Sequence, residues 1–177
     1  MFIGHLPAGY LATTPLLGRS APRERRRLLL LGLAASVLPD LDLFYFYFVD
    51  ERRHVHHAYL PHLPLAWVAA LGMAAAVLGV LRARRTAWLA LAILGINVLL
   101  HLVLDTVAGG IRWLWPFSDV ELALTTVRAR YDPWVLNFVL HWTFALEMAL
   151  IVAALWRYRR LRSVGGSRGG MGSARAG

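Results

Sequence analysis

A histidine and an aspartate four residues apart, His101 and Asp105, lie in the stretch Asn97–Asp119, NVLLHLVLDTVAGGIRWLWPFSD. On a helix, residues at i and i+4 share one face, so this imidazole and carboxylate can converge on one ion. Both fall in a run apolar enough to lie in lipid, where an ionisable side chain is costly and points to function. The alternative is a hydrogen bond between helices. The run breaks at Gly109-Gly110 and reaches Trp113, Trp115 and Pro116, an aromatic cluster of the kind found at a membrane interface. The stretch therefore reads as half of a metal site near one membrane face.

Other segments offer further donors. Asp40 and Asp42 stand in Leu38-Pro39-Asp40-Leu41-Asp42. At i, i+2 they would face opposite ways on a regular helix. Pro39 suggests an irregular backbone, in which one aspartate ligates while the other orients a histidine. The plain alternative is a helix start at Pro-Asp. His57 and His62 are ligand candidates or loop residues, whereas His54 and His56 read as solvated. His5 is a lone histidine in an apolar segment, and His141 and Glu147 are either ligands or a hydrogen-bonded pair. The chain has no cysteine, so any metal is held by nitrogen and oxygen, which suits zinc and also manganese or iron.

These residues need elements to carry them. The chain has 177 residues, 58% hydrophobic and 16% charged, which is more apolar and less charged than a soluble domain. The expectation is an all-α, polytopic membrane helical bundle of about five segments. They run from Phe2 to Leu17, with Pro7 and Pro15 kinking it, Leu28 to Val49, Leu63 to Leu81, Thr86 to Ala108 and Trp134 to Trp156. Residues 1–162 form the membrane-embedded domain, and 163–177 a disordered Gly/Ser/Arg tail. No cleaved signal peptide is expected. Tyr45, Tyr47, Trp67, Trp113 and Trp115 read as interface belt or pocket lining.

The formal charge of +9 would suggest nucleic acid in a soluble protein. Here the arginines cluster beside apolar runs, at 19–27, 82–85 and 157–162, at alternate turns and hence on one side. The positive-inside rule puts that side in the cytoplasm, and no nucleic-acid partner is expected. Measured from these ends at about 1.5 Å per residue, His5, Asp40, Asp42, His62, His101, Asp105 and His141 lie roughly 20 to 30 Å away. In a hydrocarbon core of about 30 Å they share the outer third. Glu147, at roughly 15 Å, is nearer the midplane. Several acids and imidazoles at one depth call for a cation.

Gly4-His5, the Pro39–Asp42 run, His57 and His62, His101 and Asp105, then Trp115-Pro116-Phe117-Ser118 together resemble the YdjM-type membrane-bound, metal-dependent hydrolases. The resemblance covers roughly residues 1 to 150. It departs where Ala58, Pro61 and Leu63 replace the Arg, Thr and Ser of the commoner pattern. It also extends distantly to zinc-dependent phospholipase C, an all-helical enzyme with a His/Asp zinc cluster. It implies a bacterial-type inner-membrane location and His5, Asp40, His62, His101 and Asp105 as metal ligands. Asp42 ligates or stands behind a ligand, His57 joins the candidate ligands, and Ser118, His141 and Glu147 are candidate supporting residues.

The activity expected is hydrolysis of a phosphoester or ester, from a lipid-like or other small substrate delivered through the membrane. A metal polarises the ester oxygen and activates water, with Asp42 as general base. Two rivals stand beside it. A metal-ion transporter would need ligands through the full membrane thickness, and the inner half is nearly bare. A non-catalytic scaffold stapled by its metal would show binding without turnover.

Overall fold

The computed structural model describes residues 3–18, 20–53, 56–133 and 135–173, with backbone alone at 56 and 164–173. His54, one of the histidines read as solvated, lies outside the described residues. Among those described the protein is all-helical: α1 (His5–Thr13), α2 (Pro22–Ala35), α3 (Asp42–Phe48), α4 (Pro64–Val80), α5 (Arg85–Ala108), α6 (Val135–Val139) and α7 (Thr143–Ser173). Short 3-10 turns at Thr14–Leu17, Pro39–Leu41, His56–Ala58 and Leu60–His62 join them.

α5 is the central post, packed against α1, α2 and α4. It is 24 residues long, about 36 Å at 1.5 Å per residue, and long and apolar enough by itself to cross a membrane. Only 33% of its apolar window is buried inside the protein. Around it, Leu30, Val68, Met73, Val77, Val103 and Val152 are also exposed. A soluble protein rarely leaves so much contiguous apolar surface in water.

Of the five spans expected, α5 alone meets the length and apolarity requirement within one helix. α2 and the Pro39–Phe48 stretch meet it together, bent by 57°. Pro39 is the cause: it has no N–H to give the preceding turn, so the helix cannot continue regularly. α4 is apolar but shorter, at 17 residues. α1 has nine residues and passes into a 3-10 turn at Pro15. The segment expected from Trp134 to Trp156 is broken between α6 and α7. There Thr143 N donates to His141 Nδ1 at 3.4 Å, a local bond that starts α7 instead of continuing α6. α7 then extends to Ser173, into the stretch set apart above as the tail.

α1 crosses α2 and α5 closely because its small residues allow it. A Cβ on Gly9 would lie 2.5 Å from Ser36 Cβ and 3.0 Å from Asn97 Oδ1. Asn97 on α5 donates to Thr13 Oγ1 at 3.0 Å and to Ile93 O at 2.8 Å, fixing the crossing with buried polar bonds. The two ends of the bundle differ in chemistry. At the arginine-rich end, Leu17, Leu28 and Ile93 form an apolar cluster, and Arg157 Nε donates to Thr14 Oγ1. At the other end α1, the break after α2, the turn before α4 and the last turns of α5 bring their polar residues together.

Candidate metal centre

The last turns of α5 present His101 and Asp105, with His101 Nε2 2.9 Å from Asp105 Oδ2. Behind the ring, His101 Nδ1 donates to the carbonyl of Ser36 at 2.8 Å. That carbonyl lies at the helix break before Pro39, where the regular ladder no longer uses it. A carbonyl can only accept, so Nδ1 carries a proton, and in the neutral ring the Nε2 lone pair faces inward. His101 is 1% exposed, and its Nε2 makes no hydrogen bond. Leaving such a lone pair against carboxylate oxygens is unfavourable unless a cation joins them.

His62 repeats the arrangement from the turn before α4. Its Nδ1 meets Asp42 Oδ2 at 2.6 Å, and its Nε2 lies 3.5 Å from Asp105 Oδ2 and 3.8 Å from Asp40 Oδ1. A carboxylate behind an imidazole is the usual companion of a metal-ligating histidine, fixing its tautomer and raising its basicity. Trp67 Nε1 donates to Pro61 O at 2.8 Å and steadies the same turn. Asp40 Oδ1 is 3.6 Å from His101 Nε2, and the Asp40 side chain is 29% exposed, so solvent reaches the cluster from its side. One donor atom each from Asp40, His62, His101 and Asp105 lie within 4.8 Å of one another. This buried Asp/His/His/Asp group can hold a metal ion. Its donor chemistry, two carboxylates and two imidazoles with inward nitrogens, fits a divalent cation.

His5 and His57 border this set. His5 Nε2 is 3.2 Å from Asp105 Oδ1, and its ring stacks on His101 with centroids 3.9 Å apart. His57 Nε2 is 3.8 Å from Asp105 Oδ2, and its ring lies 4.8 Å from that of His62. Gly109 makes room for it: a Cβ there would be 2.4 Å from His57 Cε1.

Asp42 meets His62 from behind, through Nδ1, and is not one of the four donors. The remaining candidates are placed elsewhere. Glu147 accepts a hydrogen bond from Ile3 N, anchoring the chain just before His5. His141 pairs locally with Thr143 Oγ1 at 3.0 Å, not with Glu147. Ser118 Oγ accepts from Val120 N at 3.3 Å within its own turn. The sequence does not single out the Ser36 carbonyl or the Asn97–Thr13 bond, and marks Gly109 only as a break in the run. Backbone acceptors carry no residue signature, and the one available clue was Pro39 downstream.

In the metal-free centre burial works to lower the pKa of His62, which lies in the turn outside the spanning helices. Hydrogen bonds to Asp105 and Asp42, with their charges, outweigh this and raise it from 6.5 to about 9.

The sequence model of the YdjM inner membrane protein family matches residues 1–164. No curated protein and no solved structure matches the chain.

The raised pKa has a consequence for metal uptake. Near about pH 7 the empty site holds a proton on His62 that an incoming cation must expel. Metal affinity is therefore expected to rise as pH increases from about 6 to 8, with net proton release at neutral pH. Calorimetric titration of zinc in buffers of different ionisation enthalpy measures that release. A heat independent of the buffer would contradict this account.

Proposed function

This chain belongs to the YdjM inner membrane protein family, and on that footing we propose that it is a membrane-embedded, metal-dependent hydrolase of phosphoesters or esters. The observation that carries the reading is the buried four-donor cluster whose two imidazoles are each fixed from behind. A divalent cation held there, zinc or else manganese or iron, supplies a Lewis acid for an ester oxygen and lowers the pKa of water toward 7. The residues do the rest. Asp42 and the Ser36 carbonyl hold the rings of His62 and His101 so that Nε2 of each faces the ion's place once His62 has given up its proton, and Asp105 presents both oxygens to imidazoles.

The general-base role expected for Asp42 passes to Asp40 in this reading. Asp42 Oδ2 is committed to His62, whereas Asp40 is open to solvent and can exchange a proton with it. The architecture behind the reading is polytopic: α5, the bent α2–α3 pair, α4 and α7 cross or enter the membrane, with the arginine-rich ends in the cytoplasm. The centre then opens near the outer face, where membrane lipid or a small lipid-like molecule is the substrate. The likeness to zinc-dependent phospholipase C rests on donor types alone and supports a phosphoester over a carboxylic ester.

Activity is tested by a phosphoester and ester screen of the purified chain before and after chelation. Turnover should vanish with chelator and return with added metal, and Asp42→Asn should lower it about 10- to 100-fold through the orientation of His62. Turnover indifferent to chelation would remove the metal mechanism. Bound metal with no turnover on any ester would instead favour a metal-stapled scaffold. Orientation is tested separately, because the chain has no cysteine of its own. Phe117→Cys, 86% exposed, should react with an impermeant maleimide from outside intact cells, and Leu81→Cys, 70% exposed, only after permeabilisation. The reverse pattern would invert the topology.

A further inference from the structure

A second polar site lies apart from the metal centre. A cavity of about 250 Å³ opens between the extended segment after the α5 loop and the corner joining α6 to α7. Thr126, Arg128, Arg130, Tyr131, Asn137 and His141 line it. No acidic side chain does. We propose that this cavity binds a phosphate group, carried by an anionic lipid headgroup or free in solution.

The arginines make the first case. Arg112 meets Asp119 and Glu121, and Arg53 meets Glu51, so the neighbouring loop arginines have carboxylate partners. Among the described residues Arg128 and Arg130 have none, yet both face one cavity. Two arginines lining one cavity without a carboxylate partner leave its charge uncompensated, and the planar fork of a guanidinium matches phosphate oxygens in pairs. His141 adds a third donor. Its Nδ1 is engaged by Thr143 N and Oγ1, so Nε2 is the nitrogen left for a ligand, as a donor in the tautomer that accepts from Thr143 N.

The wall is built rather than loose. Asn137 is 8% exposed, and its Oδ1 accepts from the backbone N–H of Arg130 at 2.7 Å and of Tyr131 at 2.8 Å. Its Nδ2 donates to Tyr131 O at 2.9 Å. One buried amide thus fastens the arginine segment to α6, so little ordering remains to be done on binding. At the other end of the segment, Leu124 N donates to Thr106 O and Thr125 N to Val107 O. These bonds hold it against the turn of α5 that carries Asp105, so the cavity and the metal centre share one end of the molecule. Leu140, 64% exposed, completes the lining and gives the cavity an apolar edge. A phosphate at headgroup depth meets both the donors and this edge.

The proposal does not depend on hydrolysis, and binding is expected with the metal removed. Chelator-treated full-length chain in an uncharged detergent is titrated with short-chain phosphatidylglycerol, with diacylglycerol of the same chain length, and with inorganic phosphate. Phosphatidylglycerol should bind saturably and diacylglycerol should not. R128Q/R130Q should weaken binding about tenfold or more, with R128K/R130K intermediate and the melting temperature and metal content of both variants unchanged. Competition by inorganic phosphate supports a site that reads the phosphate alone. Lipid binding that phosphate cannot displace supports a headgroup site. Equal binding by R128Q/R130Q and the unaltered chain, or no saturable binding of either ligand, would overturn the proposal.

Discussion

The structure depends on compensating charge in a place that water scarcely reaches. Asp105 is buried at the end of α5 with imidazoles around both of its oxygens, and Asp40 adds a second carboxylate to the same space. The Nδ1 proton of His101 is claimed by the Ser36 carbonyl and faces away from the cluster. Asp42 similarly holds His62 from behind. What is left is a cluster of carboxylate oxygens and inward ring nitrogens, costly in a medium of low dielectric unless a proton or a cation joins them. A cation converts that cost into binding energy.

The helices supply this geometry mainly through their interruptions. An unbroken α2–α3 rod would keep its carbonyls within the helix and leave His101 without the acceptor that sets its tautomer. A longer α4 starting before Pro64 would carry His62 away from Asp42. Gly109 ends α5 where His57 comes close, and the Glu147 bond to Ile3 fixes the approach of His5. The breaks gather at one end of the bundle, while the arginine-rich end keeps an apolar cluster of Leu17, Leu28 and Ile93. The Ser36 carbonyl freed at the break is taken up by His101, so the irregular backbone leaves that acceptor paired.

Much of the helical pattern is legible in the sequence, since α4 and α5 lie within a residue or so of the apolar runs that mark them. The i, i+4 spacing of His101 and Asp105 can be read directly, because both sit on a regular helix. Common depth, counted from the arginines, groups the residues of four separate segments, and it works because straight helices have a fixed rise. The same count misleads for His141. It has the right depth but lies on the corner between α6 and α7, and depth says nothing about direction around the bundle axis. The irregular backbone at Pro39 is foreseeable, whereas which aspartate joins the four-donor set and which lies behind His62 is visible only in the side chains. The α6–α7 break escapes an apolar pattern altogether, being made by a local bond between His141 and Thr143.

The central claim is that imidazoles from different segments hold one ion. X-ray absorption at the edge of the metal retained by the purified chain tests it most directly. The account predicts a shell of nitrogen and oxygen at about 2.0–2.2 Å, with outer-shell scattering from at least two imidazoles that diminishes in His101→Ala. A retained metal whose spectrum lacks imidazole scattering, or is unchanged in that variant, would contradict it.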